Sequence, residues 1–430
     1  MTQFQTDDRV RPLKLNFAER IQNRLKKMAA PGEEDVEPPS SIPKLVHQVF
    51  LDALEERATD VHIDPEKDFL CVRFRIDGIL RDVALIPSRH AAQFMGHIKS
   101  LVDINPTPAL KPVYGSTVYT IEDNEIYLRV TCAPTIQGEK ISIRVLEPKR
   151  MRYSLEELGL NPDQKEMIDG WLENMNGMVL VSGATGSGKT TSLYALLHEL
   201  KRLNRSVITI EDPVEYRIEG ISQMQVNEAR GITFSEAVRT MLRLDPDFLM
   251  VGEMRDRASA EAALAASATG KVLLSSLHSR DAAGTVTTLR NLGIHDYEII
   301  AALELVISQR LIRRLCDKCR KQIETPSEDK RWLEAIGIDA PKESWTGVGC
   351  EYCRDTGYRG RIGLFEIWKV DEAANHSILK RSDEKSLRAA LRKSGTPTLL
   401  EDGLAKAAEG ITSIQELRRV SSYGFGITHH

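Results

Sequence analysis

The feature that most constrains this chain is a glycine-rich loop. Its sequence is Gly183-Ala184-Thr185-Gly186-Ser187-Gly188-Lys189-Thr190, which matches the pattern GxxxxGK[ST] in full. An apolar strand pattern precedes the loop at Met178–Val181, and a helical pattern follows it from Thr191 to Leu200. Glycines let backbone N–H groups turn inward around phosphate oxygens, and the helix N-terminus adds its positive dipole end. The sequence therefore predicts a nucleotide-phosphate site over Gly183–Thr191. Lys189 would contact the phosphates, and the Thr190 hydroxyl would be a Mg²⁺ ligand.

Apolar strand patterns alternate with helical stretches after about Ser154. They lie at Met178–Val181, Ser206–Ile210, Phe248–Val251 and Val272–Ser276. Buried apolar strands that alternate with helices indicate an α/β fold with a parallel sheet. Residues 42–148 differ, because a helix at about Lys44–Arg57 is followed by alternating strand patterns typical of a small α+β domain. The tail, from about Val370 to Val420, is charged and helical.

The length of 430 residues exceeds an ordinary single core, so two or three domains are expected. Hydrophobic residues make up 41% and charged residues 28%, which is typical of a soluble globular protein. No apolar run approaches the ~20 residues of a membrane span, and the first residues show no apolar core of a signal peptide, so no signal peptide and a cytoplasmic location are expected. The formal net charge of −4 gives no reason to expect nucleic acid as a partner.

Acidic residues follow two of the predicted strands. Glu253 comes after the apolar run at Phe248–Val251, and a glycine stands where many phosphate-loop proteins carry Asp. Glu211 and Glu215 belong to a second cluster, which follows the run ending at Ile210. Because the carboxyl ends of parallel strands share one edge of a sheet, both clusters should face the same crevice. A carboxylate there can orient or activate water for hydrolysis, whereas either cluster alone could be a solvated loop.

Four of the six cysteines form two CxxC pairs, Cys316/Cys319 and Cys350/Cys353, with 30 residues between them. Four thiolates at this local spacing suit one tetrahedral Zn²⁺, which we predict as a closed, structural site. Redox catalysis and an iron–sulfur cluster are the alternatives, although redox sites usually use a single CxxC at a helix start. The intervening stretch is predicted to be polar and helical. Cys71 and Cys132 are predicted to be plain buried thiols.

Taken together, these residues resemble the secretion ATPases of type II secretion and type IV pilus assembly. Four boxes carry the resemblance. They are the Gly183–Thr190 loop (Walker A), Ile208–Tyr216 (Asp box), Leu242–Asp256 (Walker B segment) and Ser275–Ala282 (His box). The first box is widespread, whereas the other three in this order are specific to the family. The resemblance covers about residues 42 to 420 and implies a RecA-like core that uses ATP and Mg²⁺.

The resemblance also implies roles for residues that composition could not assign. A PAS-like N-terminal domain would close over the nucleotide, and Arg129 and Arg144 would then reach the γ-phosphate. His278 would sense the nucleotide state. The family assembles as homohexameric motors that act on an inner-membrane platform protein and cytoplasmic secretion or pilus components, peripheral to the inner membrane. Its export members carry a cysteine module, which retraction members typically lack, so the Zn²⁺ prediction tilts this chain toward export.

These observations predict five segments. They are a basic N-terminal arm and linker (1–41), a PAS-like domain (42–150), a RecA-like core (151–311), a tetracysteine zinc module (312–369) and a helical C-terminal region (370–430). The arm carries an apolar stripe at Phe17, Ile21 and Leu25, which indicates a solvated helix or one that docks on a partner or an anionic membrane surface. Alternative functions are a nucleic-acid-translocating motor, a DNA-uptake pseudopilus motor and a nucleotide-binding regulator with little hydrolysis.

Overall fold

The computed structural model describes residues 41–421, so the predicted basic arm lies outside the described residues. The described chain forms two compact units. One comprises the described residues up to Met151 together with Gly349–Thr356, and the other comprises Arg152–Val348 and the described residues from Gly357 onward.

The first unit is built on a six-stranded antiparallel sheet in the order β3-β2-β1-β6-β5-β4. Its strands are β1 (Ala58–Pro65), β2 (Phe69–Ile76), β3 (Ile79–Pro87), β4 (Val113–Ile121), β5 (Asn124–Thr135) and β6 (Gly138–Leu146), and its helices are α1 (Ser41–Glu55), α2 (Ser88–Ser100) and α3 (Pro148–Met151). Helix α1 buries an apolar stripe that includes Val46, Val49 and Phe50, because residues three and four apart share one face of a helix. These side chains belong to one core cluster with the inward residues of the sheet.

The second unit contains a seven-stranded sheet in the order β15-β12-β7-β11-β10-β8-β9 and a separate β13–β14 pair. The strands are β7 (Met178–Ser182), β8 (Val207–Glu211), β9 (Ser222–Gln225), β10 (Phe248–Val251), β11 (Val272–Leu277), β12 (Leu303–Leu315), β13 (Arg320–Glu324), β14 (Glu343–Gly347) and β15 (Tyr358–Lys369). All neighbours in the large sheet pair in parallel except β12 and β15. Strands β7, β8, β10 and β11 are buried along their whole length, as expected for a sheet covered on both faces.

Helices connect and cover these strands. They are α4 (Pro162–Asn174), α5 (Lys189–Lys201), α6 (Phe234–Leu242), α7 (Arg257–Ala268), α8 (Ala282–Asn291), α9 (Asp296–Ala302), α10 (Ser327–Ala335), α11 (Glu372–Leu379), α12 (Glu384–Lys393), α13 (Leu399–Ala408) and α14 (Ile414–Ser421). Crossover helices between parallel strands place the chain's loops at the carboxyl edge of the sheet, where ligands bind in such folds. We refer to this edge, which follows β7, β8, β10 and β11, as the carboxyl edge.

The predicted α/β fold and the four predicted apolar strands are confirmed, with ends that differ by at most one residue. Strand β12 was not predicted, because the polar residues Ser308, Gln309 and Arg310 interrupt its apolar run although all three are buried. The prediction of a polar, helical stretch between the cysteine pairs was wrong in part. That stretch contains α10 between two paired strands, β13 and β14. Strand β15 lies in the large sheet, and the five-segment division of the chain stays a prediction.

Candidate functional site

The glycine-rich loop joins β7 to α5 in a conformation that needs its glycines. Gly183, Gly186 and Gly188 have φ values of 148°, 75° and 91°, a region that residues with a Cβ rarely adopt. The loop closes on itself through a hydrogen bond from the Ser187 N–H to the Ala184 carbonyl at 3.1 Å. Helix α5 begins at Lys189, so its N-terminal N–H groups adjoin the loop. This arrangement is suited to phosphate oxygens, as the sequence predicted.

The Lys189 ammonium lies across the mouth of the loop. Its Nζ donates to the Gly183 carbonyl at 2.9 Å and the Ala184 carbonyl at 3.3 Å, and it lies 3.4 Å from His278 Nδ1. Burial lowers the pKa of Lys189, and the nearby Glu253 carboxylate opposes that shift. A partly buried cation surrounded by carbonyl acceptors can exchange them for phosphate oxygens.

His278, Glu253 and Arg255 form a continuous polar chain at the carboxyl edge. His278 Nε2 lies 2.6 Å from Glu253 Oε1, and Arg255 Nε donates to Glu253 Oε2 at 2.8 Å. Arg255 also donates from a terminal nitrogen to Asp212 Oδ2 at 2.7 Å, which ties the ends of β10 and β8 together. With Lys189 donating to Nδ1, a neutral His278 carries its proton on Nε2 and donates it to Glu253.

Close strand packing explains the glycine before Glu253. The Gly252 N–H donates to the Ile210 carbonyl at 2.8 Å, and a Cβ on Gly252 would lie 3.3 Å from that carbonyl oxygen. The Ser276 hydroxyl donates to the Gly252 carbonyl at 2.7 Å, so β11 holds the same residue from the other side. The backbone that carries Glu253 is therefore held by both neighbouring strands.

Glu211 and Glu215 occupy different surroundings. Glu211 is buried, and its carboxylate accepts hydrogen bonds from Tyr194, from Thr209 at 2.6 Å and from Gln223 at 3.2 Å. Burial raises the pKa of Glu211, and these donors oppose the shift. The backbone N–H of Glu215 donates to the Tyr194 hydroxyl at 3.2 Å. These contacts tie the loop after β8 to α5. The catalytic role predicted for Glu211 and Glu215 stays a prediction.

Arg129 and Arg144 lie in the first unit, directly opposite each other on β5 and β6. Like charges at such a cross-strand pair repel, and a neighbouring carboxylate offsets the repulsion. Asp60 provides it, with Oδ1 3.3 Å from Arg144 Nε and Oδ2 3.6 Å from Arg75 Nε. The two arginines share a sheet face, and their predicted response to the γ-phosphate stays a prediction.

Helix α8, which follows the His278 segment, begins at two buried carboxylates. Asp281 accepts from the Gly284 N–H at 2.8 Å, and Glu366 Oε1 accepts from the Ala282 N–H at 2.7 Å. Burial raises the pKa of Glu366 to about 7; the Ala282 N–H opposes this shift and the Asp281 charge adds to it. Glu366 therefore keeps its proton in the folded protein under conditions in which the unfolded chain has lost it.

The Glu366→Gln variant should gain stability relative to the wild type as pH rises. A raised carboxyl pKa means that the folded state binds more protons, so the stability that Glu366 contributes to the wild type falls as pH rises from about 4.5 towards the folded-state value of about 7. The amide keeps an acceptor for Ala282 and carries no charge. The variant's free energy of unfolding relative to wild type should therefore rise by about 1–3 kcal/mol between about pH 4.5 and about pH 8. Urea titrations at both pH values measure this, and an unchanged difference would contradict it.

The two CxxC pairs converge on one cluster. The sulfur atoms of Cys316, Cys319, Cys350 and Cys353 all lie within 4.8 Å of one another. Cys350 and Cys353 Sγ are 3.7 Å apart, close to the ~3.8 Å that a tetrahedral site with Zn–S bonds of ~2.3 Å requires. The Cys350 N–H donates to Cys353 Sγ at 3.3 Å. Four thiols in this geometry fit a closed Zn²⁺ site.

Freshly purified, reduced protein should contain about one zinc ion per chain, and Cys350→Ser should remove most of it, because three thiolates leave the tetrahedron incomplete. Metal analysis by mass spectrometry measures the content. Cys71→Ala, which removes a buried thiol outside the cluster, is the matched control and should keep the metal. Finding neither zinc nor iron in the wild type would refute the site, and finding iron would favour an iron–sulfur cluster.

A family profile described as "Type II/IV secretion system protein" matches residues 35–419. The chain belongs to this family. The predicted resemblance is thereby confirmed, and it covers the loop, the carboxyl edge and the four cysteines.

Curated family members are similar over most of the chain. The type II secretion system protein E of Aeromonas hydrophila is 35% identical over 90% of this chain and 77% of its own length. The type IV pilus assembly ATPase PilB of Pseudomonas aeruginosa is 38% identical over 88% of this chain and 67% of its own length. Both branches of the family are thus represented at similar identity, and each relative extends beyond the matched region.

Solved structures share the fold. The ATPase DotB of Legionella pneumophila superimposes with a TM-score of 0.66 at 21% identity, covering 92% of this chain and 98% of that one. The pilus retraction motor PilT, solved with bound ADP, gives a TM-score of 0.59 at 20% identity over 87% of this chain and 96% of its own. At these identities the likeness shows the architecture of the family and carries nothing about individual residues.

Sequence reasoning missed two residues at the site. Arg255 links Glu253 to Asp212, and its position two residues after Glu253 is the signal that could have found it. Gln309, which lies on strand β12, donates from Nε2 to the loop carbonyl of Ser187 at a distance of 2.7 Å. No local pattern marks Gln309, because the strand that carries it was itself not predicted.

Proposed function

We propose that this protein hydrolyses ATP and uses the energy to drive type IV pilus assembly or type II protein secretion. The observation that carries the proposal is the convergence of Lys189, His278 and Glu253 at the carboxyl edge, within a phosphate-binding fold of the secretion ATPase family. The role of each residue follows from its chemistry.

Phosphate binding is assigned to the loop and to Lys189. The backbone N–H groups of Gly183–Thr190 surround the phosphates, and the Lys189 ammonium, which here bonds to two loop carbonyls, transfers to phosphate oxygens. The Thr190 hydroxyl and the Asp212 carboxylate are hard oxygen donors, which suit Mg²⁺. When bound, Mg²⁺ neutralises charge on the phosphates.

Water activation is assigned to Glu253. Its two oxygens are held by His278 and Arg255, and this fixes the orientation of the carboxylate. A positioned carboxylate can align the attacking water and accept its proton. Glu215 and Glu211 are retained as second candidates, and Arg129 and Arg144 as groups that stabilise phosphate charge. His278, bonded to both Glu253 and Lys189, would report whether Lys189 has moved to a phosphate.

The assembly and location follow the family. We propose a homohexamer that acts on an inner-membrane platform protein and on cytoplasmic secretion or pilus components, from the cytoplasmic side of the inner membrane. None of the helices in residues 41–421 has the length and apolarity of a membrane span. Contact with anionic lipid is a further proposal, which concerns the basic arm.

An ATPase assay with three additives tests the function. Turnover by the purified chain that rises with acidic phospholipid vesicles and not with DNA is the expected result. Stimulation by single- or double-stranded DNA would favour the nucleic-acid motor instead. A single-turnover burst without steady-state hydrolysis would favour the nucleotide-binding regulator. A pull-down with the platform protein of each system, namely type IV pilus, type II secretion and DNA-uptake pseudopilus, identifies the one that binds this chain.

A further inference from the structure

Strand β12 lies alongside β7 and supplies the wall against which the phosphate loop rests. The two strands pair in parallel, with Ser308 opposite Ser182 at the point where the loop begins. The next residue, Gln309, is 1% exposed. A buried polar side chain next to a ligand-binding loop needs a reason, because burying an amide without good partners costs free energy.

The Gln309 amide bonds to the loop itself. Its Nε2 donates to the Ser187 carbonyl at 2.7 Å, the only hydrogen bond recorded for that side chain among the described residues. Ser187 is also buried, so no bulk water competes for its carbonyl. The contact joins a core strand to the residue that precedes the last glycine of the loop.

This bond fixes the direction of the following N–H. Ser187 and Gly188 share one trans peptide unit, since the cis bond recorded in residues 41–421 is Asp212–Pro213. In a trans peptide the C=O and N–H point in opposite directions. Because the Ser187 C=O points towards Gln309 on β12, the Gly188 N–H of the same peptide points away from β12. Phosphate loops use such inward N–H groups to hold phosphate oxygens.

Two glycines of the loop match this wall. A Cβ on Gly183 would lie 2.4 Å from the Gln309 carbonyl oxygen, and a Cβ on Gly188 would lie 3.0 Å from Gln309 Nε2. Cβ atoms in proteins are essentially never found as close to another atom as the first distance, and they are rarely found as close as the second. Gly183 is thus required by its approach to the Gln309 backbone as well as by its positive φ angle, whereas a Cβ on Gly188 would push against the Gln309 amide.

We propose that Gln309 is a positioning residue for nucleotide binding, which holds the Ser187–Gly188 peptide so that the Gly188 N–H faces the phosphates. The inference rests on the proposed function and assigns no chemical step to Gln309. A donor that is already oriented needs no free energy to reorient when the nucleotide binds. Loss of the Gln309 donor therefore weakens nucleotide affinity and leaves the hydrolysis rate of the bound nucleotide nearly intact.

The test uses the full chain with Gln309→Met and Gln309→Glu. Methionine is similar in length and has no donor. Its KM for ATP and its Kd for a fluorescent ADP analogue should rise about 3- to 10-fold, the value of one neutral hydrogen bond, with kcat within about 3-fold of wild type. Gln322→Glu, an exposed position on β13, is the matched control for the charge change and should behave as wild type.

The glutamate variant adds a readout that a purely structural role would not move. A carboxylate cannot donate to the Ser187 carbonyl, whereas a protonated carboxyl group can. The ratio of its Kd to that of wild type should therefore fall as pH is lowered, and the ratio for the methionine variant should stay flat. Measurements below each variant's melting temperature ensure that folded protein is compared.

Two outcomes are decisive. Affinities of both variants within twofold of wild type, at all pH values, overturn the inference alone. A wild-type chain that binds no nucleotide overturns the proposed function, and this inference falls with it.

Discussion

Lys189→Ala is expected to abolish ATP turnover, with steady-state hydrolysis reduced by at least about a thousandfold. Lys189 is the cation at the mouth of the loop, and in its present position it bonds to loop carbonyls that phosphate oxygens would replace. Without it, the charge that develops on the phosphates loses its nearest counter-charge within the loop. Phosphate release from saturating ATP measures the effect, and circular dichroism checks that the fold is kept.

A second lysine on the same helix provides the control for Lys189. Lys201 is exposed at the C-terminal end of α5, so Lys201→Ala changes the net charge equally and should leave turnover unchanged. Full activity of the Lys189 variant would refute the assignment of the loop. Equal losses in both variants would indicate an effect of helix α5 on stability rather than on phosphate binding.

Glu253→Gln is expected to separate binding from hydrolysis. The amide keeps the shape of the side chain but cannot accept a proton from water, so kcat should fall by about 10²- to 10³-fold. Nucleotide affinity should stay near the wild-type value, because Lys189 and the loop are intact. Steady-state kinetics gives kcat, and a fluorescent ADP analogue gives the affinity of the same preparation.

The matched control for Glu253 is Glu173→Gln, an exposed glutamate of helix α4 in the same unit, which should be indistinguishable from wild type. If Glu253→Gln retains more than about a third of the wild-type kcat, Glu253 is not the group that activates water. Glu215→Gln would then be the next variant, since Glu215 lies in the other acidic cluster of the carboxyl edge.

Those parts of the site that depend on a short, local sequence pattern could be predicted from the sequence. The loop from Gly183 to Thr190 has a fixed spacing because phosphate geometry demands it, and the buried strands around it are unbroken apolar runs. Glu253 could be placed because it follows such a run after a single glycine. The two CxxC pairs could be joined into one cluster because metal chemistry limits the ways in which four thiols combine.

Other parts depend on contacts between distant segments. Gln309 lies 122 positions from the carbonyl to which it donates, and the strand that carries it breaks the apolar pattern at that point. The burial of Glu211 among Tyr194, Thr209 and Gln223 follows from the packing of β8 against α5 and β9. Side chains that are polar and buried give no signal in hydropathy, so their roles appear only in the folded chain.

The order β7-β11-β10-β8 at the centre of the large sheet has a consequence for assembly. Lys189, His278 and Glu253 follow three strands that are adjacent in space and far apart in the chain. Their approach requires contacts of long sequence separation, which form slowly in folding. A nascent or partly folded chain therefore lacks the site, and a nucleotide bound there would report that folding is complete. Any ligand that binds only the finished sheet stabilises the whole cooperative unit by mass action.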